Sequence, residues 1–212
     1  MCALTHARML ELLGAFDTVV MGHNLTYWVI KGTLLGAVRH YGLIPYDADV
    51  DLCIPSADWA KLRRLAPSEL PSWMWLQDWT SDPRFGHHGR TWAKIRDLNS
   101  DYVEYSAHTR KQHNGLQIDV YTDHDGKWPS LCGVPTGVMQ VRRQPFDNIR
   151  VNIPANAEAL LVAKYGDWTT LPPVAKRKSP QGRVAFVAPE WVKRMYPHLY
   201  PRAAASPQGG PH

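Results

Sequence analysis

"KGTLLGAVRHYGLIPYDADVDLCI", Lys31 to Ile54, is the stretch on which the reading of this 212-residue chain turns. Asp47, Asp49 and Asp51 occupy every second position, and Ala48, Val50, Leu52 and Ile54 around them are apolar. Period 2 marks a strand with one buried face, so the spacing predicts a strand over about 47–54 that turns three carboxylates to one side. Same-face residues lie about 6.6 Å apart along a strand, so these charges repel unless something positive sits among them. A solvated edge strand would produce the same alternation; the neighbouring segments decide between the two.

Upstream, LTYWVI (25–30) is β-branched and aromatic and reads as a short buried strand. Gly32-Thr33 then opens TLLGAVRH, a helix with Thr33 near its N-cap. Helix N-termini offer free N–H groups and the positive end of the dipole to phosphate, and glycine lets phosphate approach the backbone. Downstream, Leu116, Ile118 and Val120 share one face of a strand and Gln117, Asp119 and Tyr121 the other. Asp119 is thus a fourth carboxylate, placed mid-strand where acids are disfavoured unless used. Two acids two apart, joined by a third from a neighbouring strand, make a hard-oxygen cage suited to Mg2+ or Mn2+. With a phosphate-binding helix start, the parts describe phosphoryl transfer.

The remainder reads as follows. Met9, Leu12, Leu13, Phe16, Val19 and Val20 recur at helical spacing, giving an amphipathic helix over about 4–21. SADWAKLRRL (56–65) is a helix with a Ser N-cap, and WMWLQDW and RTWAKIRD are strands. DYVEYSA and GLQIDVYTD flank Asn114-Gly115, a hairpin signal. ANAEALLVAKYGDW is a helix stopped by Gly166, and KYGDW reads as packing, with Trp168 beside the core. Residues 1–185 are expected to form one domain, and 186–212 a Pro/Ala-rich tail with a disordered end.

Composition narrows the function classes. Hydrophobic residues make up 44% of the chain, with nine Trp, enough for a packed core. A net charge of +5 suggests an acidic partner, and phosphates, nucleic acid and anionic lipid all qualify. Cys2, Cys53 and Cys132 are widely spaced, so no disulfide framework or zinc site is expected and a reducing compartment is the simpler assumption. His87, His88, His108 and His113 read as solvated loop residues. The charged, short apolar N-terminus is not read as a signal peptide, and no run of 18 apolar residues suggests a membrane span; the expected location is the cytoplasm.

The order of these blocks resembles the nucleotidyltransferase fold, whose signature is Gly-Ser/Thr followed by an Asp-x-Asp strand. More specifically, GTLLGAVRHYGLIPYDADVDLCI, AKIRDLNSDY (93–102), IDVYTD (118–123) and IPANAEALLVAKYGDWTTLPP (153–173) resemble the LicD family, which is related to the fukutin proteins. The resemblance implies an α+β, nucleotidyltransferase-like fold: a mixed sheet carrying the Asp-x-Asp strand, flanked by helices. It also implies transfer of a phosphorylated alcohol, of the phosphocholine or ribitol-phosphate type, from a CDP-linked donor to a hydroxyl of a glycan or glycoconjugate. Asp49 and Asp51 match the metal pair, Asp119 the third acid (ligand or base), and Gly32 and Thr33 the phosphate cradle. This sequence departs from the family in having Tyr46 for Trp, Ala48 for a further Asp, and Val120-Tyr121 for Phe-Pro.

Other residues carry weaker expectations. Asp47 either assists the metal or caps the strand entry, and Arg39 either folds back on phosphate or pairs with an acid. Lys94 and Arg96, on one face of a strand, could neutralise a diphosphate or form a basic edge. Lys176, Arg177 and Lys178 read as a solvated run, or else as a handle for an anionic acceptor. The competing readings are a nucleotidyltransferase that moves a nucleoside monophosphate from an NTP with release of pyrophosphate, a binding module for nucleic acid or another acidic polymer, and a non-catalytic relative. A binding module leaves the clustered acids unexplained, so no nucleic-acid partner is expected, and the retained acids argue against a dead enzyme.

Overall fold

The computed structural model describes residues 3–47, 49–85, 93–102, 114–122, 132, 140–177, 184–185, 190–195 and 197–200. In chain order the elements are α1 (Ala3–Gly22), β1 (Trp28–Val29), α2 (Lys31–Arg39), β2 (Val50–Ile54), α3 (Ser56–Glu69), β3 (Met74–Gln77), β4 (Ala93–Asp97), β5 (Asp101–Tyr102) and β6 (Gln117–Thr122). There follow the hairpin β7 (Val141–Phe146) and β8 (Ile149–Pro154), α4 (Ala157–Tyr165), a 3-10 turn at Val174–Lys176, β9 (Val184–Ala185) and α5 (Glu190–Met195).

The architecture is α+β around a mixed five-stranded sheet of order β1-β2-β6-β4-β3. Only the β2–β6 pairing is parallel; β1–β2, β6–β4 and β4–β3 run antiparallel. Period-2 alternation gives this sheet two unlike faces. Val29, Leu52, Ile118, Val120, Ile95 and Leu76 point into one core with Met9, Leu12, Leu13 and Phe16 of α1 and Trp59 and Leu62 of α3. The opposite face carries a row that crosses four strands: Asp51, Asp119, Lys94 and Gln77 are successive register partners. The β7–β8 hairpin adds Phe146, Val151 and Ile153 to the main core. Asp17 fastens α1 to it, accepting from Arg143 Nη1 at 2.6 Å and Nη2 at 2.8 Å and from the Tyr27 hydroxyl at 2.6 Å.

Several expectations change. The strand predicted from about 47 begins at Val50, so Asp49 stands just before it. The strand predicted over 25–30 is reduced to Trp28–Val29. Helix α2 starts at Lys31, two residues before the expected Thr33 cap, and α3 is preceded by Pro55 rather than capped by Ser56. The hairpin expected across Asn114-Gly115 is not a ladder: β6 pairs with β2 and β4, and β5 pairs with β9. Tyr102 N–H donates to the Asn114 carbonyl at 3.2 Å, and residues 103–113 between them lie outside the described residues. Gly166 closes α4 at φ 65°, its N–H on the Val162 carbonyl at 2.8 Å.

The expected tail contains ordered contacts. Leu199 and Tyr200 pack on Trp75 and Leu98, and the Tyr200 hydroxyl donates to the Leu98 carbonyl at 2.7 Å. Its last residues, 201–212, lie outside the described residues, as do His87, His88, His108, His113, Lys178 and Ala48. The expectation about cysteines is overturned: Cys53 of β2 and Cys132 form a disulfide, with Cα atoms 5.6 Å apart. The partners are separated by 79 residues, so no short spacing announces the pair. Among the described residues no helix is long and apolar enough to cross a membrane.

One ion pair belongs wholly to the fold. Asp97 is fully buried on the core face and accepts from Arg8 Nε at 2.9 Å and Nη2 at 2.8 Å. The Arg8 guanidinium also lies 4.1 Å from the centre of the Trp73 ring. Arg8→Met leaves a buried carboxylate without its cation, which costs about 3 kcal/mol. At this size the melting temperature should fall by about 6–12 °C in a thermal denaturation scan. Adding Asp97→Asn to Arg8→Met should recover part of the loss, because no unpaired charge then remains buried.

Candidate active site

The polar face is assembled by the start of α2 meeting β2. Ile30 N–H donates to the Asp51 carbonyl at 3.0 Å, and Asp51 N–H donates to the Thr33 hydroxyl at 2.9 Å. Both backbone groups of Asp51 are therefore held by the first turn of α2 and the Ile30 that precedes it, and its side chain lies on the polar face. Thr33 is buried and acts here as a backbone anchor for β2 rather than as an exposed cap. Gly32 makes room for Asp47: a Cβ at position 32 would lie 2.6 Å from Asp47 Oδ2. The Asp47 carboxylate thus rests against the first turn of α2.

Asp47, Asp49, Asp51 and Asp119 lie within electrostatic reach of one another. Burial first, then a hydrogen bond donated by its protonated form to Asp47 and the charges of Asp47 and Asp119, push the Asp49 carboxyl up to about 7. Burial also raises Asp51, against the opposing pull of Lys31. Two lysines are set among the acids. Lys31 Nζ donates to Asp51 Oδ1 at 2.8 Å and also reaches the Tyr121 hydroxyl. Lys94 Nζ donates to Asp119 Oδ1 at 2.7 Å, and desolvation followed by the nearby Arg96 guanidinium holds its pKa below normal. Desolvation pulls Lys31 down too, but Asp51 and Tyr121 outweigh it and the net shift is upward.

The remaining expected residues sit as follows. Arg96 is buried on the polar face, donating to Gln77 Oε1 at 2.7 Å, to the Gly115 carbonyl at 3.0 Å and to Gln117. Gln117 in turn donates to Asp119 Oδ1 at 2.8 Å. Arg96 thereby supports the acid row from one strand away. Arg39 lies in the last turn of α2 and donates to the Trp168 carbonyl at 2.9 Å, tethering the loop after α4. Lys31 and Tyr121 stand beside the acids although the sequence reading does not single them out. Lys31 and Tyr121 had a signal: one precedes Gly32, and the other shares the Asp119 face.

Among the described residues no three His, Cys, Asp or Glu side chains already converge as a metal-binding group. The donor set nevertheless suits a hard divalent cation. It is all carboxylate oxygen, and burial together with the negative charge of Asp47 and Asp119 raises the Asp49 carboxyl, a penalty that a cation would relieve. Asp49 and Asp51, with Asp47 beside them, are the residues that could hold such an ion.

The site thus sits on one face of a mixed sheet in an α+β domain, beside the start of a helix. Comparison with known proteins is more specific. The chain matches the family described as "LicD/FKTN/FKRP, nucleotidyltransferase domain" over residues 24–156, and it belongs to that family. It is 28% identical over 159 residues to the ribitol 5-phosphate transferase FKRP of Mus musculus, covering 70% of this chain and 29% of that protein. Against the human FKRP it is 32% identical over 103 residues, 49% of this chain and 18% of the relative. An uncharacterized protein of Rickettsia prowazekii is 49% identical over 57 residues, 27% of this chain and 21% of that protein. The chain therefore matches less than a third of the length of each of these relatives.

The raised Asp49 carboxyl has a consequence for stability. A carboxyl whose folded pKa lies above its unfolded value favours folding at low pH and loses that contribution as pH rises from about 4 to about 7. Asp49→Asn should therefore melt higher than wild type above pH 7 in metal-free buffer, by about 2–4 °C for each 1 kcal/mol of repulsion removed. The gain should vanish towards pH 4. Scanning fluorimetry across that range checks it.

Proposed function

We propose that this chain is a phosphotransferase domain that moves a phosphorylated alcohol from a CDP-linked donor to a hydroxyl of a glycan or glycoconjugate. The observation that carries the reading is the row Asp51–Asp119–Lys94, crossing adjacent strands beside Asp49 and the start of α2. Family membership and the printed activity of the FKRP relatives, ribitol 5-phosphate transfer, support the choice of a phosphorylated alcohol. The nucleotidyltransferase-like topology is part of the same reading.

In the proposed reaction the acceptor oxygen forms a bond to the phosphorus nearer the alcohol, the bridging P–O bond breaks, and CMP leaves with that bridging oxygen. Asp49 and Asp51 would hold Mg2+ or Mn2+, which, when bound, neutralises charge on the phosphate oxygens. Asp119 receives the proton of the acceptor hydroxyl. Lys94, bonded to Asp119 at 2.7 Å, orients that carboxylate towards the acceptor. Lys31 places a second cation at the edge of the acids, where a diphosphate carries its charge.

A thermal-shift panel tests the reading: CDP-ribitol, CDP-glycerol, CDP-choline, CTP, ATP and GTP, each with and without Mg2+. A CDP-alcohol at about 100 times its Kd should raise the melting temperature by about 5–10 °C in the presence of Mg2+. The shift should be lost in Asp51→Asn, and acceptor-dependent turnover should release CMP. A response to triphosphates alone, with pyrophosphate as the product, would replace the proposal with nucleotidyl transfer.

A further inference from the structure

A cavity of about 340 Å³ lies between the start of α2 and the second half of α4, and the acid row does not account for it. Ile30, Leu34, Leu160 and Leu161 form its apolar walls, and Lys31, Lys164 and Tyr165 also line it. Lys31 belongs to both spaces: it lines the cavity and hydrogen-bonds Asp51. The cavity is thus continuous with the acids through one side chain. The electrostatics agree, since Lys164 feels the charges of Lys31 and Asp51, and Tyr165 those of Asp51 and Asp47.

The two lysines differ in their commitments. Lys31 is bound to Asp51 and Tyr121. Lys164 makes no hydrogen bond or ion pair with a described residue, and its ammonium lies 5.5 Å from the centre of the Tyr165 ring. It is an exposed cation with its donors available, on a helix end that Gly166 fixes in place. The chemistry of the walls selects the occupant. A polyol would find few hydrogen-bonding partners among Ile30, Leu34 and Leu160, and a quaternary ammonium would be repelled by two lysines. A flat base with its ribose suits an apolar slot with an aromatic ring at its edge.

We propose that this cavity receives the nucleoside of the nucleotide-linked donor, with Lys164 at its mouth binding the diphosphate. This rests on the donor reading above and assigns the end of the donor that is not transferred. KYGDW, expected to be packing, is then a binding element: Lys164 and Tyr165 face the donor while Gly166 and Trp168 hold the loop.

Equilibrium binding of CDP and of inorganic pyrophosphate, both with Mg2+, tests it in the full chain. Losing one charged hydrogen-bonding partner weakens binding by about tenfold or more, so Lys164→Met should weaken both ligands to that extent and Lys164→Arg should retain them. Ala163 is exposed and lines the same cavity, so Ala163→Trp fills it from the solvent side without entering the core. That variant should lose CDP by about tenfold or more while binding pyrophosphate as wild type does, which also reports that it is folded. CDP binding unchanged in Ala163→Trp would overturn the nucleoside assignment while leaving the donor reading intact. Unchanged binding of both ligands by Lys164→Met would overturn the role of Lys164. Wild-type protein that binds pyrophosphate but not CDP would overturn the CDP-donor reading, and this inference with it.

Discussion

The parallel register of β2 against β6 sets Asp51 directly opposite Asp119, and the rest of the polar face is arranged around that pairing. Two carboxylates on adjacent strands of a desolvated surface repel, and Asp47 and Asp49 add to the crowding. The chain offsets this with Lys31 on one side and Lys94 on the other, each hydrogen-bonded to one acid. Such compensation seldom outweighs the desolvation of four ions, and an apolar row would have made a more stable sheet. The cluster is retained at a cost to stability, as expected where charge is needed for chemistry.

Strand β4 separates two uses of charge within five residues. Lys94 and Arg96 face the acid row, directly or through Gln117, whereas Asp97 faces the core and is neutralised by Arg8 from α1. One strand therefore ties the site to the helix that covers the opposite face. The positioning of Asp119 depends on the same strand, since Lys94 is its register partner.

Much of this was legible because it depends on period. The stripe of α1, the common face of Asp51 and Asp119, and the stop at Gly166 follow from local spacing and from one residue with positive φ. The unread features are those that spacing does not encode. The partner of β6 is β4 rather than the segment nearest in sequence, and the Cys53–Cys132 pair closes across 79 residues. The β7–β8 hairpin was hidden by Pro145, a residue that ordinarily demotes a strand; it is tolerated here because the hairpin is a separate two-stranded sheet. Thr33 has the composition of a cap, but its hydroxyl accepts from β2 instead of from its own helix. Lys164 and Tyr165 look like ordinary helix-end residues until the walls around them are known.

The parallel β2–β6 ladder also governs when the site can exist during synthesis. Residue 51 meets residue 119 across an intervening stretch of chain that holds α3, β3, β4 and β5, and such non-local pairing must overcome its closure entropy before any contact rewards it. The acidic strand emerges from the ribosome early, with its compensating Lys94 and its partner Asp119 still unmade. Until β6 is added, Asp47, Asp49 and Asp51 belong to a nascent segment whose charges favour solvent over burial. Charged side chains on an unpaired strand disfavour edge-to-edge pairing, so the same carboxylates keep the edge of β2 hydrated until the strand that closes it is made.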